Sequence, residues 1–361
     1  MRTYALIFAI LVGAVAPALA GDQQDSLPVA EAGAAPVSQP FNDALCCSDK
    51  ERPCRRGFCP DTPAFFGDLM GSAVVGVVGF GPPVNANVLA FLPNVQQASA
   101  IKIAEGDSPR PEDRFYYLLS FYGGVTINPA APPLDVGRHV LGFEKTLFGS
   151  NFSVGMRLPI FSFGGDPSYD NAFIGDISII TKYALVNNRE TGNVLSVGLS
   201  VTVPSGGFPT LQTVASPVLP GGPFIEPRDR AVTLQPYVGY VYNLLPRIFI
   251  QGFHSVAVPT DSNEPTFMAN DLGLGLWLYR NPDGVLFRGV APVCEIHVNT
   301  PFNHRDMTGL GVGQTVMIDS VTLTTGLSIM LPRSVLGGAV GIPLGNAQNR
   351  IEAVVSYSLR F

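Results

Sequence analysis

From Phe115 onward the chain alternates apolar and small polar residues in run after run, and this period of two constrains the fold more than any other feature. In the last run Ile351, Ala353, Val355, Tyr357, Leu359 and Phe361 share one face, and Glu352, Ser356, Ser358 and Arg360 share the other. Residues 192–204 repeat the pattern, with Leu195, Val197, Leu199, Val201 and Val203 opposite Ser196, Gly198, Ser200 and Thr202. So do residues 268–280, where Leu272, Leu274, Leu276 and Leu278 oppose Asp271, Gly273 and Gly275. In residues 315–331, Val321, Leu323, Leu327 and Ile329 oppose Ser320, Thr322, Thr324 and Ser328. A half-buried strand of a soluble sandwich would carry more Lys, Glu and Arg on its wet face than these do.

Twelve such runs are separated by Gly, Pro, Asn and Asp: 115–127, 136–147, 150–163, 173–186, 192–204, 231–245, 247–260, 268–280, 287–300, 315–331, 335–344 and 350–361. They are longer than globular strands and suit tilted membrane crossings, so the expected fold is an all-β antiparallel transmembrane barrel of about twelve strands. The connections give a separate check, because such barrels alternate short turns on the periplasmic side with long outer loops. The links Phe148-Gly149, 187–191, Pro246, 281–286 and 332–334 are short, whereas 205–230 and 301–314 are long. Twelve strands then put Phe361 and the N-terminal region on the same, periplasmic side. Aromatic residues near the expected strand ends, Phe115, Tyr117, Phe148, Phe163, Tyr242, Phe249, Tyr279, Phe287 and Phe361, suit interfacial girdles. Only 14% of residues are charged, against about a quarter in soluble domains, and Gly (39) and Pro (32) are abundant. The apolar stretch 69–93 is broken by Gly79-Phe80-Gly81-Pro82-Pro83 and is not expected to cross as a helix.

Residues 1–20 read as a cleaved export signal: Arg2, an apolar core from Tyr4 to Val15, then Ala18-Leu19-Ala20. The expected division is therefore 1–20 signal, 21–108 linker and Cys-rich segment, and 109–361 barrel. In an exported chain Cys46, Cys47, Cys54 and Cys59 are disulfide candidates, since the spacing lacks the paired pattern of a zinc site; no metal is expected. Cys294 is expected to be unpaired and buried in its strand. The apolar residues 65–91 admit two placements, a plug within the bore or an extension against its periplasmic mouth.

The ending Ser356-Tyr357-Ser358-Leu359-Arg360-Phe361 resembles the signal by which outer-membrane barrels are recognised by their assembly machinery, which implies that Tyr357, Leu359 and Phe361 carry it. Ile174-Gly175-Asp176-Ile177-Ser178, Lys182-Tyr183, Leu195-Ser196-Val197-Gly198-Leu199 and Val203-Pro204-Ser205-Gly206 resemble the transporter family named for the MetA pathway of phenol degradation. Pro109-Arg110-Pro111-Glu112-Asp113-Arg114-Phe115, Leu141-Gly142-Phe143-Glu144-Lys145 and Val154-Gly155-Met156-Arg157-Leu158-Pro159 resemble its planctomycete-type members. The resemblance covers about residues 109–361 and implies an outer-membrane channel for passive uptake of small, hydrophobic or aromatic solutes. A structural or adhesive barrel acting through its outer loops is the alternative.

If the apolar faces meet lipid, the charges at the opposite parity face the lumen. These include Glu144, Arg157, Asp176, Lys182, Glu295, His297, Glu352 and Arg360. Lipid-facing placement of Arg or Lys near the midplane would cost about 2–4 kcal/mol. Such charges either line a pore that filters solutes or pair across strands and brace the wall. The expected partners are outer-membrane lipid, the barrel-assembly machinery and a small-molecule solute. No basic, aromatic-interleaved face for nucleic acid is present in the sequence. Nor are the G-x-S-x-G, H-E-x-x-H or P-loop patterns; with histidines only at 139, 254, 297 and 304, neither enzymatic activity nor a cofactor is expected.

Overall fold

The computed structural model describes residues 62–68, 74–80, 87–91, 102–125, 134–164, 172–206, 223–224, 231–262, 264–281, 284–305, 315–344 and 351–361, all within the unit Ala44–Phe361. The export signal and Cys46, Cys47, Cys54 and Cys59 lie outside the described residues.

Twelve strands close into an antiparallel barrel. They are β1 (Arg114–Val125), β2 (Leu134–Leu147), β3 (Phe152–Gly164), β4 (Ile177–Asn187), β5 (Val194–Val203), β6 (Thr233–Leu245), β7 (Ile248–Pro259), β8 (Phe267–Leu276), β9 (Gly289–Pro301), β10 (Ser320–Met330), β11 (Ser334–Pro343) and β12 (Ile351–Arg360). Each pairs with its neighbours in sequence, and β12 returns to β1 in a register running from Ile351↔Gly123 to Arg360↔Arg114. Closure matters because every backbone N–H and C=O within hydrocarbon needs a partner, and a barrel has no edge to leave open. The shortest barrel strands have 10 residues. At about 3.3 Å per residue and a tilt of roughly 40°, such a strand rises about 25 Å, the height of a barrel's apolar band.

The pleat sorts side chains by parity, as the sequence alternation predicts. In β4 the burial alternates along ISIITKYALVN, with Ile180 and Lys182 inside and Ile179, Thr181 and Tyr183 outside. The outer face carries Met156, Ile179, Leu199, Val238, Leu274, Leu327, Leu336, Val340 and Val355, a nearly unbroken apolar wall. Short turns join β2–β3, β4–β5, β6–β7 and β10–β11, and Phe361 N–H donates to the Asp113 carbonyl (3.2 Å) at that same end. The expected strands thus match the observed ones closely, with Phe361 beside the entry into β1.

Five details differ. The run 173–186 is two elements: Ala172–Ile174 pairs with the far end of β3, and the next barrel strand begins at Ile177. The run 315–331 is two elements: Thr315–Met317 leaves the barrel to pair with residues 74–76, and the barrel strand begins at Ser320. The run 268–280 is interrupted after Leu276: Trp277 N–H still donates to the Arg247 carbonyl (2.8 Å) in register with β7 and its indole turns in against Phe249, but the pairing with β9 resumes at Tyr279–Arg280 shifted by one residue. The β8–β9 link then runs from Asn281 to Arg288, close to the expected 281–286, and Asn281 N–H donates to the Arg288 carbonyl (2.8 Å). Phe249 is fully buried over Gly275 and belongs to no girdle, since it shares the inward parity of Asn243 and Gly275. Cys294 is free but exposed rather than buried, because the inward turn of Glu295 puts its neighbour outside. Phe115, Phe148, Tyr279, Phe287 and Phe361 do stand exposed near strand ends.

A second small sheet lies on the side of the long loops. Val74–Phe80 pairs with Asn87–Phe91, with Thr315–Met317 and with Pro223–Phe224.

Candidate functional site: a lumen filled by the N-terminal segment

Residues 62–68 and 102–113 run through the barrel's interior. The first climbs past Glu295 of β9 toward Asn299, nearer the long loops; the second descends to enter β1 at Arg114. Within the lumen the two pair as a short ladder, Phe65 N–H to the Asp107 carbonyl (2.9 Å) and Gly106 N–H to the Phe65 carbonyl (3.1 Å). Phe65 packs with Ile103, Ala104, Ile180, Tyr237 and Phe253, and Phe66 joins the apolar set that includes Leu118, Val140, Met330 and Val354.

Along β1–β4 the wall is cationic and the plug anionic. The Asp107 carboxylate accepts from Arg114 Nη2 (2.5 Å) and Lys182 Nζ (2.9 Å) on one oxygen and from Arg157 Nη2 (2.8 Å) on the other. Lys182 Nζ also donates to Glu144 Oε1 (2.9 Å) and to the Ser108 carbonyl (2.6 Å), and Arg114 Nε donates to Glu144 Oε2 (2.9 Å). Arg157 holds the carbonyls of Lys102 (2.9 Å) and Ile103 (3.0 Å) and the Tyr116 hydroxyl (2.7 Å). Arg138 pairs with Glu105. The Tyr116 ring lies 4.5 Å from the Arg114 guanidinium, over Gly142, where a Cβ would meet the ring at 2.0 Å. Burial pushes the Asp107 carboxyl up, but Lys182, Arg114 and Arg157 together outweigh it and hold the group well below the usual carboxylate range.

Across the lumen the wall is acidic. Both oxygens of Glu295 accept plug amides, from Phe66 N–H and Gly67 N–H, each at 3.0 Å. Gly67 has φ +87°, and a Cβ there would lie 2.8 Å from Glu105 Cγ, so glycine is required on both counts. Thr324 Oγ1 donates to the Gly67 carbonyl (3.1 Å), and Asn299 Nδ2 to Asp68 (2.8 Å). His297 Nδ1 lies 2.7 Å from Asp271 and its Nε2 3.3 Å from Glu295. One ligand atom from each of Asp68, Asp271 and His297 falls within 4.8 Å of the others, a spacing that suits a metal ion. The Lys102 ammonium contacts both aspartates, however, and stands as a tethered cation where an ion would sit.

Of the eight charges assigned inward from sequence, Glu144, Arg157, Asp176, Lys182, Glu295, His297 and Glu352 are buried, and Arg360 is half-buried and paired with Glu112 (3.3 Å). Glu144, Arg157, Lys182, Glu295 and His297 meet at the plug. Asp176 instead accepts the N–H groups of Ser205 (3.0 Å) and Gly206 (2.9 Å) near the long-loop end. Arg114, Arg138 and Asp271 were missed, although parity with Glu144 and Glu295 would have found them. Asp68, Lys102, Glu105 and Asp107 carry no such signal, since the plug is irregular.

No family model matches the chain, and no curated protein matches it. Among solved structures it is similar to an outer-membrane channel from Pseudomonas putida F1, at 13% identity over 70% of this chain and 96% of that one, with a TM-score of 0.45. The transport unit of the autotransporter AIDA-I from Escherichia coli gives 10% identity over 74% and 95%, with a TM-score of 0.44. The toluene transporter TodX of Pseudomonas putida gives 12% identity over 84% and 100%, with a TM-score of 0.33. The barrel itself rests on its strand pairing.

Proposed function

We propose that this chain is an outer-membrane channel, held closed by its own N-terminal segment, that passes small solutes passively when the segment shifts. The observation that carries this reading is the kind of contact that holds the plug. An apolar outer wall fits a lipid bilayer, while the lumen meets residues 62–68 and 102–113 through a network of ion pairs and hydrogen bonds, with apolar packing confined to Phe65, Phe66, Ile103 and Ala104. Polar contacts exchange readily with water, and buried ion pairs repay little net stability after desolvation. A plug whose apolar anchoring is confined to the clusters around Phe65 and Phe66 can exchange its remaining contacts for water, as a continuous apolar core could not.

Export through a cleaved signal and assembly through Tyr357, Leu359 and Phe361 belong to the same reading, as does membership of the phenol-pathway transporter family with its small hydrophobic or aromatic solutes. A surface role is favoured by one feature, the sheet that Val74–Phe80 builds with Thr315–Met317 on the long-loop side. Single-channel recording in planar bilayers separates the two. The intact chain is expected to be closed with rare openings, and Glu295→Ala, which removes both acceptors for the plug amides, to open in frequent discrete steps. A Glu295→Ala barrel that folds and never conducts would leave the surface role standing.

A further inference from the structure

Among the described residues, the buried Arg and Lys side chains of the barrel strands cluster on one side of the lumen. Arg114, Arg138, Arg157 and Lys182 stand on the consecutive strands β1, β2, β3 and β4, all buried, and Glu144 is the barrel carboxylate that contacts this group. Asp271, Glu295 and Glu352 stand on β8, β9 and β12. The counter-charges that balance the cationic wall are Glu105 and Asp107, and both belong to the plug.

A channel that opens by moving residues 102–113 therefore takes Glu105 and Asp107 away from Arg114, Arg138, Arg157 and Lys182. Leaving buried charges without partners is costly, so water and anions must replace what the plug removes. The replacement site is already shaped. Each Asp107 oxygen has its own donors, Arg114 and Lys182 on one and Arg157 on the other, and Arg138 holds a second carboxylate beside it. This is a donor arrangement that fits a carboxylate, with one charged N–H group from each of three side chains converging on its two oxygens.

We infer that Glu105 and Asp107 are tethered stand-ins for the permeating solute, and that the β1–β4 wall is a binding site for a small organic anion bearing carboxylates. The inference rests on the channel reading and changes its solute class, from the uncharged aromatic that the family resemblance implies to an anion.

The test uses the full chain with Glu105→Gln and Asp107→Asn, which keeps the plug's shape and removes its negative charge. Bilayers under a potassium chloride gradient are expected to give a reversal potential shifted toward that of chloride, with anions preferred about tenfold. Succinate should shorten the openings and sorbitol should not. Where this variant does not fold, judged by heat-modifiable migration, the same record is taken on Glu295→Ala, whose cationic wall is intact. Conductance that is cation-selective or indifferent to succinate overturns the anion site and leaves the channel standing. No conductance in either variant overturns the channel. The site is then decided by thermal unfolding: succinate raising the midpoint of Glu105→Gln/Asp107→Asn above its effect on the parent protein supports it, and equal effects overturn it.

Discussion

At the residue scale, Asp107 and Gly67 carry most of the plug's specificity. Asp107 titrates below the usual carboxylate range in the folded protein, so its contribution is complete above the unfolded value of about 3.9 and is lost as pH falls through the folded value. Hydrogen exchange of residues 102–113 should therefore stay protected from pH 8 down to about 4 and fail only in stronger acid. Loss of protection by about pH 6 would contradict the Asp107 hub. Asp113 shifts the same way: partial burial raises it, and hydrogen bonds from Lys145 and Thr146 outweigh that. At Gly67 an added methyl meets both a positive φ and Glu105, so Gly67→Ala should expose residues 62–68 to protease at a cost of about 1–3 kcal/mol, with the barrel retained. Unchanged protease resistance would show that the turn is not needed. The lumen charges on strands were legible from parity, because an inward charge must share the phase of its strand's polar face. Their partners were not, since Asp107 lies in a segment without periodicity and meets Lys182 from 75 positions away in sequence.

At the element scale, most strand ends were legible to within two residues and the rest to within five, because a lipid-facing wall forces every second side chain to be apolar. The misread boundaries share a cause: alternation persists where pairing stops or slips. Met317 continues the pattern of β10 yet belongs to the small outer sheet, and β8 slips by one residue against β9 at Trp277 with no break in the alternation. The outward assignment has a direct consequence. Val355, mid-strand on β12 between Leu119 and Gly338, faces out and is 53% exposed. Val355→Arg should destabilise the barrel by about 2–4 kcal/mol in lipid, measured by urea titration of vesicle-refolded protein. Ser356→Arg, at the opposite parity, would act on the lumen instead. A negligible effect at Val355 would mean that this face does not meet hydrocarbon.

At the scale of the whole molecule, the short-turn and long-loop ends were predictable from connection lengths, and Asp113 beside Phe361 is where twelve crossings must bring the chain. Deleting Phe361 removes an exposed ring that stacks on Phe143 (6.1 Å) at the barrel's rim and so leaves the lumen contacts intact. The folded amount recovered from cell envelopes is expected to fall several-fold while in vitro refolding is unchanged; equal loss in both would assign Phe361 to stability rather than assembly. Whether residues 65–91 fill the bore was not decidable from sequence, since an apolar irregular stretch suits a plug and a periplasmic extension equally. Phe65, Phe66 and Asp68 fall in the lumen, and Val74–Phe80 passes beyond it to the long-loop side. The measurement that bears most directly on a barrel closed by its own chain is the reactivity of a cysteine placed at Ala104, which is fully buried among Phe65, Ile180 and Phe253. With Cys294 replaced by Ser and labelling located by mass spectrometry, Ala104→Cys in the intact chain should resist a membrane-impermeant maleimide and become reactive when Glu295→Ala loosens the plug. Rapid labelling of Ala104→Cys in the otherwise unaltered protein would contradict the account, because the lumen would then be open at rest.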